Sequence, residues 1–287
     1  MEKKKLTISD LLEMKKRKEK IVLLSVPDAA TASIAERAGV DIVGLGDSLG
    51  MVTLGYPSTL PVTMDDMIRH GKAVRRGAPN TFMIGAMPYQ SYRTPEMALD
   101  NAVRFIQEVG VDAVKIQGGK KTKHIIKALT DAGIPCLSHV GLAPHYIPQF
   151  GGFKVQGKTS DSAIEIYENA LAIQEAGAFG MEIEAVPPPI AEQIAKDVDI
   201  LVYGIGAGIE CDGQVLVGWD MLGLFDSFKP KFVKRYANLA KIAIEAISEF
   251  VYEVRERKFP TEEYTYSINE KELQNFRNYI KEQKNKS

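Results

Sequence analysis

Amphipathic segments alternate with short apolar runs along most of the chain. Four times such a segment ends in a small residue followed by glycine, and a largely apolar run comes next, at 38–43, 109–114, 132–137 and 176–181. Glycine is common just after the last turn of a helix, and an apolar run is typical of a strand buried on both faces. The pattern therefore predicts helices that alternate with buried parallel strands.

The same interpretation extends over most of the chain. It predicts eight strands, near 21–26, 41–46, 81–87, 112–117, 135–140, 180–185, 200–205 and 214–218. It predicts helices near 28–38, 64–76, 95–109, 121–132, 160–176, 189–197 and 231–257. Eight such units in about 250 residues are typical of an α/β fold, the closed (β/α)8 TIM barrel, rather than of an open doubly wound sheet.

Two segments lie outside this repeat. Residues 7–19 predict an extra N-terminal helix with Thr7 or Ser9 as its N-cap. The chain becomes polar after Pro260, and 269–287 predicts a charged terminal helix or a disordered tail.

No interdomain linker is evident in the sequence. We therefore expect residues 1–287 to form a single barrel domain, with a core at about 20–260 and a C-terminal extension at 261–287.

Composition and charge exclude several classes of partner. The 36 basic residues balance 37 acidic ones, so no basic surplus suggests nucleic acid or an anionic membrane. Apolar runs are too short for a signal segment or a membrane span. The two cysteines, Cys136 and Cys211, provide no disulfide framework. These features predict a cytoplasmic protein without a nucleic-acid or membrane partner.

The stretch 43–51 carries the clearest chemical signal. Its apolar run ends in glycines, and Asp47 and Ser48 follow at once. Glycine lets the backbone turn sharply and lets a ligand approach closely. A carboxylate and a hydroxyl at the end of a strand can bind a metal or an oxyanionic substrate, although an ordinary capped turn has the same composition.

Charged residues also occur inside the predicted strands. Lys115 and Gln117 are two residues apart and therefore share a face of the fourth strand. A buried lysine requires a bound anion or an ion pair. Glu182 and Glu184 share a face of the sixth strand, so one can be the structural partner and the other a catalytic base.

The histidines give weaker signals. His139 lies in the fifth strand and is either a hydrogen-bonded core residue or part of a pocket at the barrel mouth. His70 and His124 fall in helical segments and are expected at the surface, and His145 is a loop residue without a motif. The glycine-rich turn 204–208 is weak evidence for phosphate binding.

Seven segments together resemble one enzyme family. They are 46–51, 59–63, 74–80, 114–116, 151–157, 204–208 and 212–217. Over about residues 7–265 the chain is similar to ketopantoate hydroxymethyltransferase, also called 3-methyl-2-oxobutanoate hydroxymethyltransferase. The resemblance implies a barrel of the phosphoenolpyruvate mutase/isocitrate lyase type, commonly assembled as a decamer.

The resemblance also implies a reaction. A base removes the proton from the carbon beside the keto group of 3-methyl-2-oxobutanoate. The resulting enolate attacks the one-carbon unit of 5,10-methylenetetrahydrofolate and gives 2-dehydropantoate, an intermediate of pantothenate biosynthesis. In this family Mg²⁺ binds the 2-oxo acid and spreads the enolate charge.

Site residues follow from the same resemblance, position by position. Glu184 corresponds to the proton acceptor. Asp47 and Ser48 hold the substrate, and Asp47 is also a metal ligand. Lys115 pairs with the oxyanion, and His139 corresponds to a histidine of the pocket.

The chain departs from the family at several of its characteristic positions. Ala86 and Gln117 stand where the family has Asp and Glu as metal ligands, so one of three carboxylates remains. Tyr264 stands where the family usually has His, and 25–28 reads Ser-Val-Pro-Asp instead of Thr-Ala-Tyr-Asp. Two alternatives therefore stay open: a paralogue acting on another 2-oxo acid with a weakened or absent Mg²⁺ site, and a non-catalytic barrel.

Overall fold

Eight parallel strands form a closed barrel in the computed structural model, which describes residues 4–286. The strands are β1 (Ile21–Ser25), β2 (Ile42–Leu45), β3 (Phe82–Ala86), β4 (Ala113–Lys115), β5 (Cys136–Gly141), β6 (Gly180–Glu184), β7 (Leu201–Ile205) and β8 (Gly213–Val217). Each strand pairs with its neighbours in sequence, and β8 closes the ring on β1. The predicted (β/α)8 TIM barrel and its eight strands are confirmed.

Helices follow or precede the strands as predicted. They are α1 (Ile8–Lys16), α2 (Ala29–Arg37), α3 (Leu49–Val52), α4 (Met64–Gly77), α5 (Pro95–Arg104), α6 (Lys123–Asp131), α7 (Ile147–Phe150), α8 (Ser160–Glu175), α9 (Pro188–Asp197), α10 (Gly218–Met221), α11 (Leu239–Arg255) and α12 (Glu270–Lys284). A π-helical turn, Phe105–Val109, continues α5. No helix of the described residues is both long and apolar enough to cross a membrane.

Two layers of buried side chains hold the barrel together. The outer layer lies between strands and helices and includes Val43, Met83 and Val114. The inner layer fills the barrel and includes Ile42 and Tyr203. Residues from strands buried on both faces supply both layers, which explains the unbroken apolar runs in the sequence.

Helix α1 packs at the N-terminal ends of the strands. Thr7 caps it through a reciprocal hydrogen-bond pair with Asp10, so the first of the two predicted caps is correct. Leu11 is fully buried in the same cluster as the inner barrel layer. The Lys15 ammonium donates to the carbonyls of Val198 and Ile200, just before β7.

The chain divides into two compact units, 1–237 and 238–287. All eight strands lie in the first unit. The second contains α11 and α12, so the terminal segment is a helix over most of its length. The predicted helix at 231–257 begins only at Leu239.

Candidate functional site

A cavity of about 280 Å³ lies at the C-terminal ends of the strands. The five residues predicted for the site all line it: Asp47, Ser48, Lys115, His139 and Glu184. The structure therefore brings together side chains from four different strand ends.

Strand alternation places the charged residues in the barrel interior. On β4 the inward positions are Ala113 and then Lys115, because every second residue of a strand points to the same face. On β5 they are Leu137 and then His139, which is in register with Glu182 of β6. The lower part of the interior is thus apolar and the upper part carries charge.

Four of these charged side chains form one cluster. Glu182 Oε2 accepts hydrogen bonds from Lys115 Nζ at 2.6 Å and from His139 Nδ1 at 2.9 Å. His139 Nε2 donates to the Leu142 carbonyl at 2.9 Å and lies 3.4 Å from Glu184 Oε2. Glu182 therefore hydrogen-bonds to both cations, Lys115 and His139. Of these two, Glu184 contacts His139 alone, and it is more exposed to the cavity than Glu182.

The cluster shifts the pKa values of its members in opposite directions. Burial alone would raise the pKa of Glu182, but Lys115 and His139 lower it to about 2. Burial alone would lower the pKa of His139, but hydrogen bonds to Glu182 and Glu184 raise it to about 9. Burial opposes the charge of Lys115 too, yet Glu182 and Asp47 raise its pKa. At neutral pH the cavity therefore presents two cations.

A second network surrounds Asp47. His145 Nε2 donates to Asp47 Oδ2 at 2.7 Å, and His145 Nδ1 lies 2.8 Å from the Tyr92 hydroxyl. The amide oxygen of Gln117 accepts from the backbone N–H of His145 at 2.9 Å. Burial alone would raise the pKa of Asp47, but His145 and Lys115 lower it, so Asp47 is ionised.

The donor set does not fit the Mg²⁺ ion that the family resemblance implies. Of the three positions concerned, Ala86 offers a methyl group, Gln117 a neutral amide, and Asp47 a carboxylate already bonded to His145. Mg²⁺ takes hard oxygen ligands, usually one or two carboxylates together with waters and substrate phosphates. Within residues 4–286 no three acidic, histidine or cysteine side chains are arranged to hold a metal ion.

Glycine is required where β5 and β6 end beside each other. Gly141 has φ +84°, and a Cβ atom there would collide with the backbone oxygen of Glu184. That same oxygen accepts a hydrogen bond from the Leu142 N–H at 2.8 Å. The close approach therefore helps to fix the position of Glu184 at the cavity.

Three functional candidates were not identified from the sequence. His145 hydrogen-bonds to Asp47, and Tyr92 hydrogen-bonds to His145, although His145 follows Asp47 by 98 residues and no motif marks it. Asp220 of α10 also lines the cavity, and burial raises its pKa to about 6 against the effect of Arg235. The only available signal for Asp220 was its place just after the last predicted strand.

Comparison with known sequences identifies a single family. The sequence model of ketopantoate hydroxymethyltransferase matches residues 5–262. A relative from Methylibium petroleiphilum, 3-methyl-2-oxobutanoate hydroxymethyltransferase 1, is 52% identical over 99% of this chain and 96% of its own length. A 3-methyl-2-oxobutanoate hydroxymethyltransferase from Alkaliphilus metalliredigens is 51% identical over 92% of this chain and 94% of its own.

Solved structures share the fold at much lower identity. Phosphoenolpyruvate phosphomutase from Streptomyces platensis subsp. rosaceus superposes with a TM-score of 0.60 at 14% identity, covering 98% of this chain and 99% of its own. A phosphonopyruvate hydrolase in complex with oxalate and Mg²⁺ gives a TM-score of 0.59 at 13% identity, covering 96% and 97%. These similarities support the fold alone, a closed (β/α)8 barrel.

Proposed function

The chain belongs to the ketopantoate hydroxymethyltransferase family, and on this premise we propose that it transfers a one-carbon unit to 3-methyl-2-oxobutanoate, giving 2-dehydropantoate. One observation carries the proposal at the level of the site. A carboxylate, Glu184, lies at the cavity beside two cations, Lys115 and His139. A base next to positive charge is the arrangement that enolate formation requires.

Glu184 takes the proton from C3 of the 2-oxo acid. Its side chain is 12% exposed, compared with 3% for Glu182, so a substrate in the cavity can approach it. Glu182 is instead committed to Lys115 and His139. Of the two roles left open by the sequence, Glu184 therefore has that of the base and Glu182 that of the structural partner.

Lys115 and His139 stabilise the charge that develops on the substrate. When C3 loses its proton, the electron pair moves toward the keto oxygen and makes it an oxyanion. Fixed cations in a buried site stabilise such an oxyanion without having to reorganise. Ser48, whose hydroxyl is 3.5 Å from that of Ser25, and Asp47 orient the substrate from the β2 side.

The co-substrate is a reduced folate, 5,10-methylenetetrahydrofolate. Phe153 and Phe228 line the cavity with ring centroids 5.9 Å apart, and both are about half exposed. Flat aromatic surfaces of this kind suit a planar pterin ring. Lys154 and Lys231, also in the lining, offer positive charge to the carboxylates of the folate glutamate.

We also propose that the chain acts as a homo-oligomer in the cytoplasm. Helix α11 supports assembly, because its side chains Ile244 and Ile247 are 61% and 62% exposed. The decamer remains a prediction from the resemblance.

Proton exchange at C3 tests the proposed base. The full-length protein is incubated with 3-methyl-2-oxobutanoate in D2O without folate, and loss of the C3 proton signal is followed by NMR. We expect exchange by the parent protein and a loss of about a hundredfold or more in Glu184→Gln, with substrate affinity largely unchanged.

Asp220→Asn is the matched control, since Asp220 is a cavity carboxylate on α10, outside the cluster that Lys115, His139, Glu182 and Glu184 form. We expect its exchange rate to remain near that of the parent protein. Normal exchange in Glu184→Gln together with loss in Asp220→Asn would transfer the role of base to Asp220. Formation of 2-dehydropantoate on adding the folate, followed by mass spectrometry, tests the complete reaction.

A further inference from the structure

His145 hydrogen-bonds to one of the two carboxylate oxygens of Asp47. Its Nε2 lies 2.7 Å from Asp47 Oδ2, and its side chain is only 2% exposed. A carboxylate can only accept, so Nε2 carries the proton of this hydrogen bond. The pair is therefore built into the fold rather than formed by a mobile surface side chain.

Gln117 and Tyr92 hold His145 in this orientation. The Gln117 N–H donates to the Tyr92 hydroxyl at 3.2 Å, and that hydroxyl lies 2.8 Å from His145 Nδ1. The Tyr92 hydroxyl thus lies between His145 and the Gln117 backbone, whose carbonyl oxygen is 3.5 Å from it. Gln117 also accepts from the His145 backbone N–H. Gln117, which stands where the family has Glu, thus positions His145.

We propose that the Asp47–His145 pair takes the place of a divalent metal in this site, so that enolate formation proceeds without Mg²⁺. The inference rests on the proposed function, because it concerns how that reaction's negative charge is balanced. Its basis is the set of hydrogen bonds around Asp47 and the two missing carboxylates at Ala86 and Gln117.

The hydrogen bond from His145 occupies one oxygen of Asp47, so that oxygen is not free to bind a cation. Asp47 is also the one carboxylate left at the three positions where the family has metal ligands. In the absence of a metal ion, Lys115 and His139 stabilise the oxyanion. Both side chains hydrogen-bond to Glu182, which holds them in place.

Mn²⁺ binding provides a readout independent of activity. Free and bound Mn²⁺ are measured by electron paramagnetic resonance with the full-length protein, with and without 3-methyl-2-oxobutanoate. We expect no site-specific binding by the parent protein. The variant Ala86→Asp/Gln117→Glu should bind Mn²⁺, and addition of His145→Ala should lower the Mn²⁺ dissociation constant further, because no side chain then hydrogen-bonds Oδ2 of Asp47.

His124→Gln in the Ala86→Asp/Gln117→Glu background is the control, since His124 lies on the exposed side of α6. It should leave Mn²⁺ affinity unchanged. Equal affinity with and without His145→Ala would show that His145 does not compete with a metal ion for Asp47, and would overturn the proposal. Circular dichroism melts verify that each variant is folded.

The second arm needs no variant. C3 proton exchange by the parent protein is measured in excess EDTA and again with added Mg²⁺. We expect equal rates. Exchange lost in EDTA and restored by Mg²⁺, or tight Mn²⁺ binding to the parent protein, would overturn the metal-free site. No exchange under either condition would count against the proposed function, whereas the Mn²⁺ measurements would still decide the role of His145.

Discussion

Glu182 and Glu184 are two residues apart on one face of β6, yet their surroundings differ sharply. Glu182 bonds to Lys115 and His139, whereas Glu184 meets only the edge of His139 at 3.4 Å. Removing a partner from a buried ion pair leaves uncompensated charge in a medium of low polarity. The two carboxylates should therefore respond very differently to the same substitution.

We expect Glu182→Gln to lower the free energy of unfolding by about 3–5 kcal/mol, because both cations lose their anion. Glu184→Gln should cost far less, since its side chain is partly exposed and makes the longer contact. Urea unfolding of the two variants and the parent protein measures the difference. Similar losses in both variants would contradict the assignment of Glu182 as the structural partner.

The protonated state of His139 gives a pH dependence with a definite sign. Its pKa is raised from 6.5 to about 9, so its contribution to stability is complete below pH 6.5 and is lost as pH rises through about 9. The charged groups that face it are Glu182, Glu184 and Lys115. Stability and C3 exchange should both fall across this interval.

Urea unfolding at several pH values checks the prediction, with His139→Gln as the reference for all other titrating groups. The stability difference between parent and variant should shrink as pH rises from 6.5 to about 9. A difference that stays constant across this interval would show that His139 does not carry the proton.

At the scale of the element, the close contact of β5 and β6 leaves no room for a side chain at Gly141. A methyl group at Gly141 would collide with the Glu184 backbone oxygen. It would also be strained at the φ of +84°, which residues with a side chain rarely adopt. Gly110 has a similar φ of +79° but no atom within 4 Å of an added Cβ. Comparing alanine substitutions at Gly110 and Gly141 therefore separates the effect of backbone strain from that of a steric clash.

We expect Gly110→Ala to cost about 1–2 kcal/mol of stability, the price of left-handed backbone alone, and to leave C3 exchange unchanged. Gly141→Ala should cost more and should reduce exchange strongly, because Glu184 must move. Urea unfolding and NMR exchange measure both variants. Full exchange in Gly141→Ala would show that the position of Glu184 tolerates this displacement.

Elements were predictable from sequence wherever local pattern determines them. Each strand is an apolar run after a polar or glycine-rich turn, and all eight were found within about two residues of their bounds. The predicted start of α11 at 231 is too early, because 231–238 has the same mixture of charged and apolar residues as the helix. Asn238 stands at the N-cap position, although its side chain makes no capping hydrogen bond. The π-helical turn Phe105–Val109 has no sequence signature and was included in a longer helix.

In the candidate site, too, some residues could be predicted from the local sequence pattern and others could not. Residues at strand ends, such as Lys115 and His139, were predictable because the barrel brings all strand ends to one face. His145 was not, because it reaches Asp47 from a loop that no periodicity positions. Asp220 was overlooked for a similar reason, since its burial and raised pKa depend on the folded cavity.

At the scale of the whole molecule, helix α11 has exposed apolar side chains. In the unit 238–287 no residue of this helix is buried. Ile244, Ile247 and Val251 lie on one helical face and are 61%, 62% and 37% exposed. A continuous apolar face of this kind is typical of an interface between subunits.

We expect the protein to be a homo-oligomer whose interface includes this face of α11. Ile244→Glu/Ile247→Glu should lower the molar mass found by light scattering after gel filtration, because burying two carboxylates in an apolar interface is strongly unfavourable. Glu249→Lys changes the charge by the same amount on the opposite, exposed side of the helix and should leave the assembly intact. Equal molar mass for parent and double variant would exclude this face as the interface, and a monomeric parent would refute assembly altogether.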